Sequence, residues 1–458
     1  MVYFISRSKR VSIASLGMRV LFVDDAGDGL IDLVLRAKAL NHDCKYFLRA
    51  FDPVKRPLGK GLVEQVGDWR PYMRWADLVL LGGNGRYMHE MARWQAEGVP
   101  IVGGTPESAE WELDRLKGMA VFKRTGIAVP PYKECRSFDE AIAYVAKHDQ
   151  GFAVKPSGDI ADKSLSFVAK TGKELVWKLD RWKRSGKRFE NGFIVQERIE
   201  GMEFAVGAWF GHGGFAEGWE ENFEEKRLFA GALGPNCGEA GTVMRLVRRS
   251  KLADKVLKPL EAQLERIGYV GNIDVNCIVD SDGAPWPLEF TMRFGYPAIN
   301  IELALHGDPI EFLAGLAAGD PPRSRRLDEV AVGVVLAIPP YPFGHERSEE
   351  TVGVPIWGVT PALEESLHYC DVMEGRAPAV AEGKVSVEPH LCTAGSYVLV
   401  STGTGSTVVE ARTKAHRALN RLSIPASPFW RNDIGTRLRG QLPELQKHGY
   451  AIGMDYAA

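Results

Sequence analysis

The sequence predicts an α/β and α+β protein: a parallel-sheet segment first, a β-rich middle, and a small mixed α/β segment at the C-terminus. Two observations carry this. Short apolar runs that end in glycine turns alternate with helix-period stretches through the first part of the chain, the pattern of βαβ units. Beyond Gly151 the strands follow one another closely, and two of them flank Asp280-Ser-Asp-Gly283, a strong hairpin turn. A length of 458 residues corresponds to two to four domains at ~100–200 residues each. With 45% hydrophobic and 25% charged residues, wholesale disorder and fibrous repeats are excluded. A net charge of −2 argues against a protein that coats nucleic acid or an anionic membrane, while leaving room for a local basic patch.

In chain order, Met18–Val23 reads as the first strand, Leu30–Leu40 as a helix and Tyr46–Leu48 as the next strand. Ala76–Leu81 ends in Gly82-Gly83-Asn84-Gly85, and Val99–Val102 in Gly103-Gly104; such strand ends are where α/β sheets place ligands. Residues 1–17 have no part in this pattern and read as an N-terminal extension. Helical spacing covers Glu107–Thr125. Gly151–Pro156, Leu165–Ala169, Gly192–Arg198 and Phe204–Phe210 read as strands, with helices at Lys173–Arg184 and Leu252–Ile267. Gly319–Arg326 reads as a linker, followed by strands at Val330–Ile338 and Ser396–Val400, a helix at Val408–Leu422 and a polar tail over 441–458. The domain expectation is 18–114, 115–322 with a lid lobe over about 150–210, and 323–440. Six scattered cysteines without a C-x-x-C pair predict reduced thiols and a cytoplasmic setting; no apolar run reaches the ~18–20 residues of a membrane span.

The hairpin carries the chemistry. It sets Asp274 on one strand and Glu289 and Thr291 on the other, the last two sharing a face because side chains alternate along a strand. Converging carboxylates suit a hard divalent cation, and Arg293 two residues on can meet phosphate oxygens. On spacing alone, an ordinary hairpin with solvent-facing acids stands equally open.

Leu-Glu289-Phe-Thr291-Met-Arg293-Phe-Gly295 resembles the metal hairpin of the ATP-grasp enzymes, and more narrowly the E-F-N-x-R-F-G-D-P-E segment of the glycinamide ribonucleotide synthetase (phosphoribosylamine–glycine ligase) family. Phe152-Ala-Val-Lys155, Val195-Gln-Glu197-Arg-Ile-Glu-Gly201-Met-Glu203, Lys226-Arg227…Gly234-Pro-Asn236-Cys-Gly238 and Thr393-Ala-Gly395…Arg431-Asn-Asp433-Ile-Gly435 resemble further family segments in the same order, from about Met18 to Leu438. The resemblance implies an ATP-grasp fold with a parallel-sheet domain before it, and a ligase that joins a carboxylate to an amine through an acyl phosphate. It implies ATP and Mg²⁺ (or Mn²⁺) as cofactors, small-molecule carboxylate and amine substrates, no membrane partner, and a monomer or homodimer. It assigns Arg115, Lys155, Lys163, Glu197, Arg198, Ile199 and Glu203 to ATP, and Asp274, Glu289 and Thr291 to metal. Arg293, Lys163, Arg227 and Asn236 fall to catalysis; Asp25, Gly27, Gly82, Gly234, Arg293 and Gly295 fall to substrate.

The departures from the family cluster on the substrate side. Its first glycine loop, G-S-G-G-R-E-H-A-L, is here Asp24-Asp25-Ala-Gly-Asp28-Gly29-Leu-Ile-Asp32, an acidic loop that should repel a phosphate. The phosphate-covering A-G-K-G-V is Ala161-Asp162-Lys163-Ser164-Leu165, D-P-E is Tyr296-Pro297-Ala298, and Thr291 replaces an asparagine. Two readings stay open: an active ligase with altered substrates, or a nucleotide-binding protein without turnover. A third concerns Lys170–Arg188, where basic residues interleave with Trp177 and Trp182 and could track a nucleotide or nucleic-acid substrate, set against a solvated helix whose tryptophans pack on the lobe.

Overall fold

The computed structural model describes residues 17–25, 29–49, 51–54, 56–157, 166–189, 191–305, 307–321, 326–343, 350–381 and 383–458. Lys163, Gly27, Asp28, the loop residues 161–165 and nearly all of the 1–17 extension lie outside the described residues.

The chain begins with a four-stranded, all-parallel sheet in the order β2-β1-β3-β4, from β1 (Arg19–Asp24), β2 (Asp43–Leu48), β3 (Leu78–Leu81) and β4 (Ile101–Val102). Helices α1 (Leu30–Ala39) and α2 (Met88–Ala96) make its crossovers. The helical stretch expected over Glu107–Thr125 is two helices, α3 (Pro106–Leu113) and α4 (Arg115–Arg124). Asp114 separates them: its backbone is extended, and its carboxylate caps α4 by accepting from Leu116 N and Lys117 N.

A small lobe follows, with β5 (Tyr132–Cys135), α5 (Phe138–Val145), β6 (Phe152–Pro156), β7 (Phe167–Ala169), α6 (Gly172–Arg184) and β8 (Phe193–Glu197), its sheet ordered β5-β8-β6-β7. The lobe starts before residue 150 and ends before 210, because β5 pairs with β8 while β9 (Met202–Gly211) leaves for the next sheet. Helix α6 starts from a cap, Thr171 accepting from Glu174 N while Glu174 accepts from Lys170 N. Its Trp182 is core, packed among Phe138, Phe167 and Phe189, and only Trp177 is exposed, with Arg181 over its ring. Lys183 and Arg184 pair with Asp139 and Asp180. This arrangement is that of a solvated helix rather than a row of stacking platforms.

The large sheet runs β16-β15-β9-β11-β14-β17-β22-β19, with β10 (Gly214–Phe215) beside β9. Its strands are β11 (Trp219–Glu224), β14 (Gly241–Val247), β15 (Gly271–Val279), β16 (Pro285–Thr291), β17 (Val330–Ala337), β19 (Leu367–Tyr369) and β22 (Tyr397–Gly405); β12 (Arg227–Phe229) and β13 (Leu233–Asn236) form a separate hairpin. The sheet therefore continues unbroken past the expected boundary at 322, through the β14–β17 pairing. The helix read over Leu252–Ile267 is α7 (Lys251–Val256) and α8 (Glu261–Arg266), interrupted by a 3₁₀ turn containing Pro259, which has no N–H to continue the helix. Helices α9 (Ala298–Leu305), α10 (Pro309–Ala318), α11 (Pro361–Glu364) and α12 (Val408–Leu419) follow, with a three-stranded sheet of β18 (Val352–Pro355), β21 (Lys384–Ala394) and β20 (Val372–Ala381).

The expected polar tail is not one. Residues 438–447 form α13 (Leu438–Lys447), and Leu442, Leu445, Tyr450 and Met454 are buried in the main core. Tyr450 Oη donates to Gly283 O at 2.8 Å, pinning the end of the chain to the Asp280–Gly283 turn. Among the described residues no helix is long and apolar enough to cross a membrane.

Candidate active site

The hairpin forms as its sequence implies. In the register of β15 and β16, Asp274 faces Thr291 and Asn276 faces Glu289. Beside β15 lies β9, which sets Gly207 opposite Asp274, Ala205 opposite Asn276 and Glu203 opposite Ile278, and beside β9 lies β11, with Glu220 and Asn222 opposite Gly207 and Ala205. Ala205 and Gly207 are small, so side chains from β15 and β11 meet over them. Asn222 Nδ2 donates to Asp274 Oδ2 at 2.7 Å, Asn276 Nδ2 to Glu224 Oε2 at 2.7 Å, and Asn272 Nδ2 to Glu220 Oε2 at 2.9 Å. Three amide–carboxylate bridges thus cross the floor of the sheet.

Three cations gather at its edge. Arg115, the first residue of α4, pairs with Glu289 through Nη2 and Oε2. Lys226 Nζ lies 2.6 Å from Glu203, 3.2 Å from Glu224 and 3.9 Å from Glu289. Lys155, on β6 of the small lobe, reaches across to donate to Leu288 O on β16 at 3.4 Å. Burial pushes the Lys155 amine down to about 7, with Arg115 adding to the effect and Glu289 opposing it. Burial works against the Lys226 charge too, but Glu224, Glu203 and Glu289 together outweigh it and hold its pKa well above the usual value. The Arg115 guanidinium, with Lys226 and Lys155, holds the Glu289 carboxyl far below its ordinary range. Asp274 is moved the other way, up to about 7, by burial and then by the Glu224 charge.

Other residues singled out in the sequence are distributed around this cluster. Glu197, Arg198 and Ile199 form the strand end between β8 and β9, where the chain passes from one sheet to the next; Gln150 donates to Glu197 and Arg198 pairs with Glu200. Arg293 Nε donates to Glu112 at 3.1 Å, and Glu112 also accepts from Met292 N and Asn84. Gly295 follows beside Ala298. Arg227 and Asn236 pair on the β12–β13 hairpin and are exposed, Arg227 donating to Gly234 O. The structure brings Lys226, not Arg227, to the carboxylates. Asn222, Glu224 and Asn276 were also missed, although polar residues alternating along a strand (Glu220, Asn222, Glu224; Asp274, Asn276) are a legible signal of one shared face.

At the first sheet, Asp25 Oδ2 accepts from Arg86 N at 3.3 Å, and Tyr296 Oη donates to Gly82 O at 3.1 Å. The Tyr296 ring lies where a side chain at position 29 would project: a Cβ on Gly29 would stand 2.4 Å from it. The acidic loop is smaller than its sequence suggests. Asp24 is buried and accepts from Tyr46 Oη, and Asp32 is buried in α1, bound by Arg36 and by His368 of β19 at 2.9 Å.

Among the described residues no three or more His, Cys, Asp or Glu side chains form a metal-binding group by themselves. The hairpin still fits a hard cation that shares its shell with another ligand: its donors are oxygens, and Asp274 Oδ1 and Asn276 Oδ1 are buried without a hydrogen-bond partner.

Residues 118–299 match the family model for the phosphoribosylglycinamide synthetase ATP-grasp (A) domain. This stretch is an ATP-grasp domain. The chain is 28% identical over 355 residues to the phosphoribosylamine–glycine ligase of Halalkalibacterium halodurans, covering 75% of this chain and 78% of that one. It is also 28% identical over 417 residues to the Phenylobacterium zucineum enzyme, covering 86% and 90%. The solved phosphoribosylamine–glycine ligase of Thermotoga maritima superposes with a TM-score of 0.66 at 18% identity, covering 91% of this chain and 100% of that one. The N5-carboxyaminoimidazole ribonucleotide synthetase of Thermotoga maritima gives 0.56 at 17%, covering 89% and 99%. These two superpositions establish the ATP-grasp fold over nearly the whole length.

A buried acid cluster behind the site supplies a stability test. Burial, then the Asp274 charge, pushes Glu302 of α9 up to about 8, and burial with Glu302 raises Glu220 well above its usual value. A carboxyl with a raised folded pKa holds its proton in the native state after the unfolded chain has released it, near ~4.3. Stability attributable to Glu302 is therefore full at acid pH and falls as pH rises through that window toward 8. Glu302→Gln is expected to melt higher than the parent at pH 8.5 and no higher at pH 5, measured by differential scanning calorimetry; an equal offset at both would contradict it.

Proposed function

We propose that the chain is an ATP- and Mg²⁺-dependent carboxylate–amine ligase that works through an acyl phosphate, on an amine and carboxylate other than phosphoribosylamine and glycine. One observation carries the ligase reading: Arg115, Lys155 and Lys226 converge on Glu289 where the small lobe meets the large sheet. A triphosphate between the lobes needs that concentration of positive charge. Asp274 and Glu289, with Asn276 supplying the amide oxygen that Thr291 lacks, would hold Mg²⁺, which when bound neutralises phosphate charge. Lys155, Lys226 and Arg115 would bind phosphate oxygens, and the Glu197–Ile199 strand end together with Glu203 would hold the nucleoside. Arg293, positioned by Glu112, is the group placed to meet the reacting carboxylate. On this reading residues 18–114 carry the acceptor, 115–322 the ATP site and 323–440 close the sheet behind it.

Altered substrates follow from the first sheet. The Asp25 carboxylate accepts from the Arg86 N–H, placing a negative charge where a phosphate would sit, and the Tyr296 ring fills the space beside Gly29. The test is ADP release from Mg-ATP across panels of amines and carboxylates, with and without phosphoribosylamine. Turnover is expected with a pair lacking the phosphoribosyl group. Robust glycinamide ribonucleotide formation would overturn the altered-substrate reading, and no ATP binding by calorimetry with Mg²⁺ would overturn the ligase reading.

A further inference from the structure

The β20–β21 hairpin projects apolar side chains into solvent: Val380 is 74% exposed, Val385 70% and Val387 53%. Its two strands alternate in where their backbone groups point, and bonds at the hairpin base fix the phase. Gly59 N donates to Val372 O and Glu374 N to Lys60 O, both at 2.8 Å, so even-numbered residues of β20 face away from β21. Their partners in the register are the odd-numbered residues of β21, and accordingly Leu391 O accepts from Ile356 N beyond the pair. By the same alternation the N–H and C=O of Val385 and Val387 point out of the open side of β21, where, among the described residues, β18 pairs with Cys392 and Ala394 and not with this stretch.

The two edges are not equivalent. Loop residues 59–61 cover the start of β20, and Pro378 deprives its exposed part of an N–H. On β21, Pro389 limits the open stretch to Lys384-Val-Ser-Val-Glu388, with the Val387 carbonyl held by Arg376 Nη2 at 2.6 Å. That five-residue window is self-complementary. Laid antiparallel on its own copy about Ser386, it sets Lys384 opposite Glu388 and Val385 opposite Val387, twice. It also makes both Val385–Val387 pairs the hydrogen-bonded ones, matching the outward groups.

We propose that the Lys384–Glu388 edge of β21 pairs with the same edge of a second copy of this chain, giving a two-fold dimer with a sheet continuous across it. Arg376 leaves the Val387 carbonyl when the second strand arrives, and the valines of both copies cover each other. A contact this narrow makes the dimer reversible. None of these residues belongs to the Glu289 cluster.

In the non-hydrogen-bonded pair at the two-fold, two Ser386 Cα atoms come within disulfide reach. The full-length Ser386→Cys chain is expected to form a reducible covalent dimer under mild oxidation, whereas Val380→Cys, also exposed but on the blunted edge, is not; the native cysteines are buried apart from half-buried Cys237. In sedimentation, Lys384→Glu should weaken the dimer about ten-fold by opposing like charges, and the Lys384→Glu, Glu388→Lys double variant should restore it. A monomer at tens of micromolar chain, or a dimer that survives Val385→Lys with Val387→Lys, overturns the proposal.

Discussion

Glu289→Gln is expected to lower turnover about 10³-fold, roughly 4 kcal/mol of barrier, while the fold stays intact. The carboxylate touches both halves of the proposed site: it pairs with Arg115 and lies 3.9 Å from Lys226, and on β16 it faces Asn276. Glutamine keeps the volume but removes the charge that would hold a divalent cation. Lys226 keeps Glu203 and Glu224, and Arg115 is partly solvated, so neither is left as an unpaired charge in a dry core. Binding and turnover should therefore separate. ATP affinity without metal should change less than the rate does, because one anion has left a site built for an anionic ligand. Calorimetry with ATP alone, steady-state ADP release with Mg²⁺ and a melting curve give the three readings. Unchanged turnover in a substrate-bearing assay would remove Glu289 from the site; a collapsed melting curve would make it a structural residue instead.

Legibility in the sequence followed the range of the interactions. The parallel sheet and the metal hairpin could be read because their signals are local: apolar runs ending in glycines, and Asp280–Gly283 between two strands. The bridged floor was hidden because Trp-Glu-Glu-Asn-Phe-Glu224 has the composition of an exposed loop, and only the amides of β15, fifty residues later, make its carboxylates tolerable inside. Lys226 and Arg227 are adjacent and chemically alike, and the exit from β11 decides which of them turns inward. Asp32 read as part of a substrate loop because its partner, His368, is more than three hundred residues away. The last eighteen residues read as polar because Leu442, Leu445, Tyr450 and Met454 are spaced among charges, with Pro443 and two glycines breaking any helical period.

The second large effect is expected at Gly207, which chemistry would not single out. It lies on β9 between Asp274 of β15 and Glu220 of β11, and the bridges from Asn222 and Asn272 close over it. A Cβ there would stand 2.5 Å from Glu220 Oε2 and 3.1 Å from Asp274 Oδ2. Neither carboxylate can retreat without leaving its amide, and a buried polar group stranded in this way costs ~1–3 kcal/mol. With two bridges disturbed, Gly207→Ala should lower unfolding stability by about 3 kcal/mol, against the usual gain in strand propensity from removing a glycine. Gly67→Ala is the matched control, since nothing lies within 4 Å of a Cβ at that position; it should be close to neutral. Urea unfolding of both variants decides between close approach and mere backbone freedom as the reason for glycine. If the two variants cost the same, the bridges do not hold the floor of the site. If Gly207→Ala alone is costly, the same displacement of Asp274 should also weaken the response to Mg²⁺, because the carboxylate that stabilises the sheet and the one offered to the cation are a single side chain.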